Sequence, residues 1–230
     1  MRLITDPLLR QRVGPLLRGA PAVDAGRLEP DAVLVSHLDR DHLDLPTLAA
    51  IGRQRRLIVP SGGERFARRR GFEAITELAR GESAPVGALT VTAVPAVHNG
   101  RRRPLGARAD TVGYVVSGTR RVYFAGDTEL FVGMGELAPG LDLALLPVSG
   151  WGPTLGAGHL DPTDAARALA LLRPRLAVPI HWGTLRPIGL GRLMSRQLTE
   201  PPHEFARAAA RVAPEVEVHV LAPGESLSLE

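Results

Sequence analysis

The run Ser36-His37-Leu38-Asp39-Arg40-Asp41-His42-Leu43-Asp44 follows directly on the apolar segment Ala32-Val33-Leu34-Val35. A β-branched segment that ends in a polar cluster reads as a buried strand feeding a loop, and α/β proteins place their sites at such strand ends. Imidazoles and carboxylates packed this closely are costly to bury without partners, and a shared metal ion satisfies several of them at once. Taken alone, the segment also reads as a polar surface turn.

Three further segments repeat the arrangement. His98 follows Val91-Thr92-Ala93-Val94-Pro95-Ala96-Val97, Asp127 follows Val122-Tyr123-Phe124-Ala125-Gly126, and His181 follows Leu176-Ala177-Val178-Pro179-Ile180. One histidine after a strand is ordinarily a packed core or loop residue. Four strand ends that each carry His or Asp form one constellation. The chain has no cysteine, so thiolate ligands are excluded and a metal must sit on nitrogen and oxygen.

Together these segments resemble the metal motifs of the metallo-β-lactamase superfamily: H-x-H-x-D-H, a distant His, an Asp in A-G-D-T and a final His, in that order from Asp31 to Thr184. Ala125-Gly126-Asp127-Thr128, His159-Leu160-Asp161-Pro162 and Pro179-Ile180-His181-Trp182-Gly183-Thr184 further resemble the branch containing ascorbate-6-phosphate lactonase and N-acyl-phosphatidylethanolamine phospholipase D. The resemblance implies an α+β protein, the αββα four-layer sandwich of that family, and a hydrolase that uses two divalent ions. Zinc is expected first, with manganese or iron as alternatives. It also implies that one ion takes His37, Asp39 and His98, that the other takes Asp41, His42 and His181, and that Asp127 bridges them.

Two departures from the family pattern stand out. The second His of the motif is Asp39 here, an anionic and harder ligand that is expected to favour harder ions. In the family a strand pair and a G-H-A/S-type turn precede the segment matching Leu3-Ile4-Thr5-Asp6-Pro7, where this chain starts. The first strand pair is therefore expected to be lacking and the sheet edge at Leu3-Ile4-Thr5 to be open, which invites self-association.

The 230 residues read as a single hydrolase domain, 1–230, without repeats or low-complexity tails. Strands are predicted at Ala32–Ser36, Arg56–Val59, Leu89–Val94, Thr111–Ser117, Arg121–Ala125, Leu141–Leu146, Leu176–Pro179 and Val216–Leu221. Helices are predicted at Pro46–Gly52, Gly63–Arg70, Pro162–Leu172 and Pro202–Val212. Asp161 before Pro162 is an N-cap followed by an N1 proline, and Arg173-Pro174 stops that helix. The Gly-rich stretches Gly133–Gly140 and Gly150–Gly158 read as functional loops.

No apolar run is long enough to span a membrane and the N-terminus lacks signal-peptide features, so a cytoplasmic protein acting on a small molecule is expected. All 28 basic residues are arginine and the net charge is only +4. Nucleic-acid processing, resting on Arg68-Arg69-Arg70 and Arg101-Arg102-Arg103, is therefore a subordinate reading. The first cluster reads as solvated surface, and the second, close to His98, reads equally as an anion contact. The other alternative is a weakly catalytic or inactive binding protein that keeps the fold, suggested by the expected lack of the first strand pair and by Asp39.

Within the leading reading Asp41 is ligand and proton acceptor, and His159, in a Gly-rich loop, is the candidate general acid or oxyanion partner. Trp151 and Trp182 read as hydrophobic cover of the site or as pocket walls. His203 and His219 carry no motif and read as structural. Substrates expected from the resemblance are phosphoesters, phosphodiesters or lactones.

Overall fold

The computed structural model describes residues 1–100, 106–137, 139–150, 152, 154–190 and 193–229. The Arg101-Arg102-Arg103 cluster and Trp151 lie outside the described residues. Strands are numbered in chain order. The first sheet runs β1 (Leu3–Thr5), β4 (Ala32–Leu34), β5 (Leu57–Pro60), β6 (Ile75–Leu78), and every pairing in it is parallel.

The second, seven-stranded sheet runs β14 (Glu217–Val218), β12 (Leu176–Ile180), β11 (Leu143–Pro147), β10 (Arg121–Phe124), β9 (Val112–Ser117), β8 (Leu89–Pro95), β7 (Ser83–Val86). It is parallel from β14 to β10 and antiparallel from β10 to β7. A small antiparallel sheet of β2 (Arg12–Val13), β3 (Leu16–Arg18) and β13 (Leu185–Pro187) completes the structure.

Side-chain alternation along β4 explains the layering. Ala32 and Leu34 face the second sheet, where they join Ile58, Val91, Tyr114 and Phe124 in the inter-sheet core. Val33 and Val35 face the opposite way and pack under α1 (Leu45–Ile51) and α2 (Glu64–Arg68) with Leu48, Ile51 and Phe66. On the far side of the second sheet, α3 (Pro162–Leu172) and α5 (Pro201–Val212) bury Leu169, Leu172, Phe205 and Ala209 against Leu146 and Ala177. The result is the predicted αββα sandwich. No described helix is long and apolar enough to cross a membrane.

All eight predicted strands and all four predicted helices have counterparts, with boundaries trimmed. Asp161 caps α3 by accepting from Asp164 N at 2.8 Å, and Arg173 ends it in the left-handed conformation. Val216–Leu221 shrinks to the two residues of β14. The predicted strands and helices did not include β1, β2, β3, β6, β7, β13 and α4 (Ser195–Thr199), all five residues or shorter. Pro85 in β7 and Pro187 in β13 disguise strands that lie at sheet edges, where a missing N–H is tolerated.

An ion pair with a buried carboxylate ties the N-terminal segment to the decisive loop. Arg10 forks onto Asp44, with Nε 3.0 and 2.9 Å from the two carboxylate oxygens and Nη2 2.5 Å from Oδ1. The Asp44 side chain is 2% exposed. It also caps α1, accepting from Thr47 N at 3.1 Å and Thr47 Oγ1 at 2.7 Å. Asp44→Ala removes both roles and is expected to cost about 2 kcal/mol, a melting-temperature fall of about 4–8 °C. Asp44→Asn, which keeps a cap acceptor, should lose less. Thermal unfolding checks this, and an unchanged midpoint for Asp44→Ala would refute the clamp.

Candidate metal centre

The strand ends of both sheets deliver the predicted residues to one place. Asp6 follows β1, His37 and Asp39 follow β4, and His98 follows β8. Gly126 and Asp127 follow β10, Ser149 follows β11, and His181 follows β12. Among the described residues Asp6 (φ 40°) and His181 (φ 60°) are two of three non-glycine residues with positive φ, and the third is the C-cap Arg173. Such backbone costs about 1 kcal/mol per residue and persists where the surroundings over-determine it. Gly126 lets the Asp127 turn approach β4, since a Cβ there would sit 2.5 Å from Ser36 Cβ. Gly158 has the same role beside His98, where a Cβ would lie 2.9 Å from Nδ1.

Each of the four central imidazoles has its Nδ1 tied to a fixed acceptor. His181 Nδ1 donates to Ser149 O at 2.7 Å and His98 Nδ1 donates to Gly158 O at 2.9 Å. A carbonyl only accepts, so these nitrogens carry the proton. His42 Nδ1 lies 2.7 Å from Asp6 Oδ2, a carboxylate oxygen. Ser36 Oγ donates to Asp6 Oδ2 at 2.5 Å and is therefore free to accept from His37 Nδ1 at 2.9 Å.

In the neutral rings every Nε2 is consequently a bare lone pair, and these lone pairs converge. His42 Nε2 and His181 Nε2 face each other at 3.1 Å, with the two rings stacked. His98 Nε2 lies 3.4 Å from Asp39 Oδ2, which is also 3.6 Å from His37 Nε2. Asp127 stands between the groups: its Oδ2 is 3.0 Å from His42 Nε2 and 3.9 Å from His37 Nε2, and its Oδ1 is 3.5 Å from His181 Nε2. His37 Nε2 and Asp127 Oδ1 are buried without a hydrogen-bond partner. Acceptors that face acceptors in a buried site repel unless a cation lies between them.

Three donor sets, Asp6/His37/His42, His37/His98/Asp127 and Asp41/His42/His181, each keep their ligand atoms within 4.8 Å of one another. A nitrogen/oxygen set of this kind fits zinc, manganese or iron. Protons are the cations that compete for these positions. Burial disfavours a charged His42, but Asp127, Asp41 and Asp6 outweigh it and hold its pKa well above the ordinary histidine range. For His37 burial prevails, aided by His42, and its pKa falls. Burial also opposes ionisation of Asp127, yet His181 and His42 keep its carboxyl well below the usual range.

All seven predicted ligand positions thus meet at one centre. Asp41 Oδ2 is 3.7 Å from His42 Nε2 and 3.9 Å from His181 Nε2. His159 arrives from the Gly-rich loop, with Nε2 3.5 Å from Asp127 Oδ2 and Nδ1 3.1 Å from Gly156 O. Its bond to Asp127 raises its pKa against partial burial. Trp182 lines the adjacent cavity, while His219 pairs with Glu217 at 2.7 Å and His203 is exposed on α5. Asp6 was not among the predicted site residues. Its signal was its place in Leu3-Ile4-Thr5-Asp6-Pro7, an apolar strand ending in a carboxylate, the pattern that singled out the other strand ends.

With this geometry in place, the comparisons give the class. Residues 1–182 match the beta-lactamase superfamily domain. A Methanopyrus kandleri protein named a UPF0173 metal-dependent hydrolase is 35% identical over 223 residues, covering 93% of this chain and 90% of that protein. A Thermus thermophilus protein of the same designation is 37% identical over 237 residues, covering 99% and 95%. A metallo hydrolase from Ignicoccus hospitalis superposes with a TM-score of 0.66 at 25% identity, covering 87% and 80%. The chain belongs to the metallo-β-lactamase superfamily and, within it, to the UPF0173 family of metal-dependent hydrolases.

Asp6 holds two imidazoles in register, His42 directly and His37 through Ser36. Asp6→Ala is therefore expected to weaken divalent-metal binding about 10–100-fold, the usual loss when a ligand's orienting partner is removed. Calorimetric titration of the metal-free chain measures it, and unchanged affinity would deny Asp6 this role. In the wild type the same titration should weaken as pH falls, since His42, with its raised pKa, must release a proton to bind metal.

Proposed function

We propose that the protein is a two-metal hydrolase of small phosphoester, phosphodiester or lactone substrates, with His37, Asp39 and His98 on one ion, Asp41, His42 and His181 on the other, and Asp127 shared. The observation that carries this reading is the convergence of four imidazole Nε2 atoms, their Nδ1 atoms held by other groups, on the carboxylates of Asp39 and Asp127. Asp127 is the residue whose two oxygens approach imidazoles of both sets. The substrate classes rest on the resemblance of Ala125–Thr128 and Pro179–Thr184 to the lactonase and phospholipase D branch. A cavity of about 320 Å³ beside the centre is at the low end of ligand pockets, of about 300–1,000 Å³, and suits a small molecule.

When bound, an ion pair of this type lowers the pKa of a water toward ~7 and polarises an acyl or phosphoryl oxygen. The chain's own groups then divide the proton work. Asp41, partly exposed at the cavity wall, orients the water and takes its proton. His159, with Nδ1 turned to Gly156 O, presents Nε2 to the site and, protonated through Asp127, donates to the developing oxyanion or leaving group.

Elemental analysis and hydrolysis assays test the assignment together. Asp127→Ala should abolish metal-dependent hydrolysis and lose more metal than His98→Ala, because it removes a contact to both ions and the charge that offsets their repulsion. Equal metal losses would mean that Asp127 is not shared. Asp39→His should move metal preference from manganese and iron(II) toward zinc in competition titrations, since imidazole suits zinc and carboxylate suits harder ions. One ranking for both proteins would remove Asp39 from the first ion.

A further inference from the structure

We propose that Arg18 is a recognition residue for an anionic group carried by the substrate, a carboxylate or phosphate remote from the bond that is cleaved. The proposal rests on the hydrolytic reading above and narrows its substrate to acid-bearing small molecules. The cavity beside the centre is lined by Asp41, His42, Asp127 and His181. Its wall includes Arg18, and apolar surface comes from Phe124, Leu145, Ile180 and Leu185.

The position of Arg18 is fixed by the same piece of chain that carries the centre. Arg18 closes β3 and lies in register with Leu185, at the start of β13 and shortly after His181. Its Nη1 donates to Leu8 O and its Nε donates to Pro21 O at 3.3 Å. Both acceptors are neutral carbonyls, which orient the guanidinium without compensating its charge. Nη2 makes no hydrogen bond among the described residues.

The contrast with Arg10 shows what is missing. Arg10 is paired with a buried carboxylate, Asp44. Among the described residues Arg18 has no carboxylate within ion-pair distance, and burial lowers its pKa with no opposing anion. A partly desolvated cation without a counterion is destabilising, and an oxyanion that reaches Nη2 relieves that cost through a charge-assisted bond. The ligand that fits is therefore amphipathic: an oxyanion at Arg18, a short apolar stem along Leu145 and Ile180, and the scissile group at the His/Asp centre.

Calorimetric titration of the metal-loaded full chain with hexanoate, hexyl phosphate and hexanol tests this without requiring turnover. The wild type should bind at least one hexyl anion about tenfold or more tighter than hexanol, as expected for a charge-assisted hydrogen bond. Arg18→Gln should remove most of that difference, and Arg18→Lys should restore part of it. Arg18 also clamps two loops, so Leu145→Trp provides a second reading: it fills the stem channel, leaves the clamp intact, and should weaken the hexyl anions while sparing inorganic phosphate. Hexyl anions bound equally by the wild type, Arg18→Gln and Leu145→Trp would place the anion on the metals and overturn the proposal. So would an absence of hexyl-anion binding to the wild type. If the anion discrimination holds while no ester, phosphodiester or lactone is turned over, Arg18 stands and the hydrolytic reading fails.

Discussion

The structure depends on where the Nδ1 protons of four histidines go. Asp6 and Ser36 hold His42 and His37, and the carbonyls of Ser149 and Gly158 hold His181 and His98. These acceptors fix the ring planes, so four Nε2 atoms point at one small volume already occupied by carboxylates. Without a cation this volume is repulsive. Left-handed backbone at Asp6 and His181 adds to that cost, and close approaches at Gly126 and Gly158 are needed to seat the residues.

Two sheets are needed for this, because neither presents the whole set. The parallel first sheet ends in Asp6, His37 and Asp39, whereas the second sheet delivers His98, Asp127 and His181 from three of its strands. The inter-sheet core of Leu34, Ile58, Tyr114 and Phe124 sets the relative height of those strand ends. Tyr114 contributes directly, since its hydroxyl donates to Val35 O at 2.8 Å and so links the second sheet to the strand that leads into His37. The Arg10–Asp44 pair anchors the far end of the same loop to the segment that follows Asp6.

Much of this was legible in the sequence, for identifiable reasons. Strands β4, β8, β10 and β12 are apolar runs ended by His or Asp, and both the alternation and the terminating residue are local signals. The α3 cap was legible for the same reason, as Asp161-Pro162 encodes its own start. The short strands β2, β3 and β13 were not, because two or three residues carry no period and their pairing is set by tertiary contact. Asp6 carries the same local signal at the end of β1, but its role shows only beside a partner 36 positions away, His42. Arg18 is a comparable case: in sequence it is one arginine among 28, and it is distinguished by the cavity and by the lack, among the described residues, of a carboxylate beside it.

As a ligand, Asp39 would make this centre more anionic than the family pattern and the bound water less acidic, because donated negative charge weakens a Lewis acid. The central claim is nevertheless simpler than the choice of metal. Anomalous diffraction at the metal absorption edge, on crystals of the loaded protein, tests it directly. The account predicts two peaks, one within about 2.0–2.2 Å of His37 Nε2, His98 Nε2 and an Asp39 oxygen, the other within that distance of His42 Nε2 and His181 Nε2, with Asp127 reaching both. A single peak, or none with the Nε2 atoms hydrogen-bonded to the carboxylates instead, would contradict it.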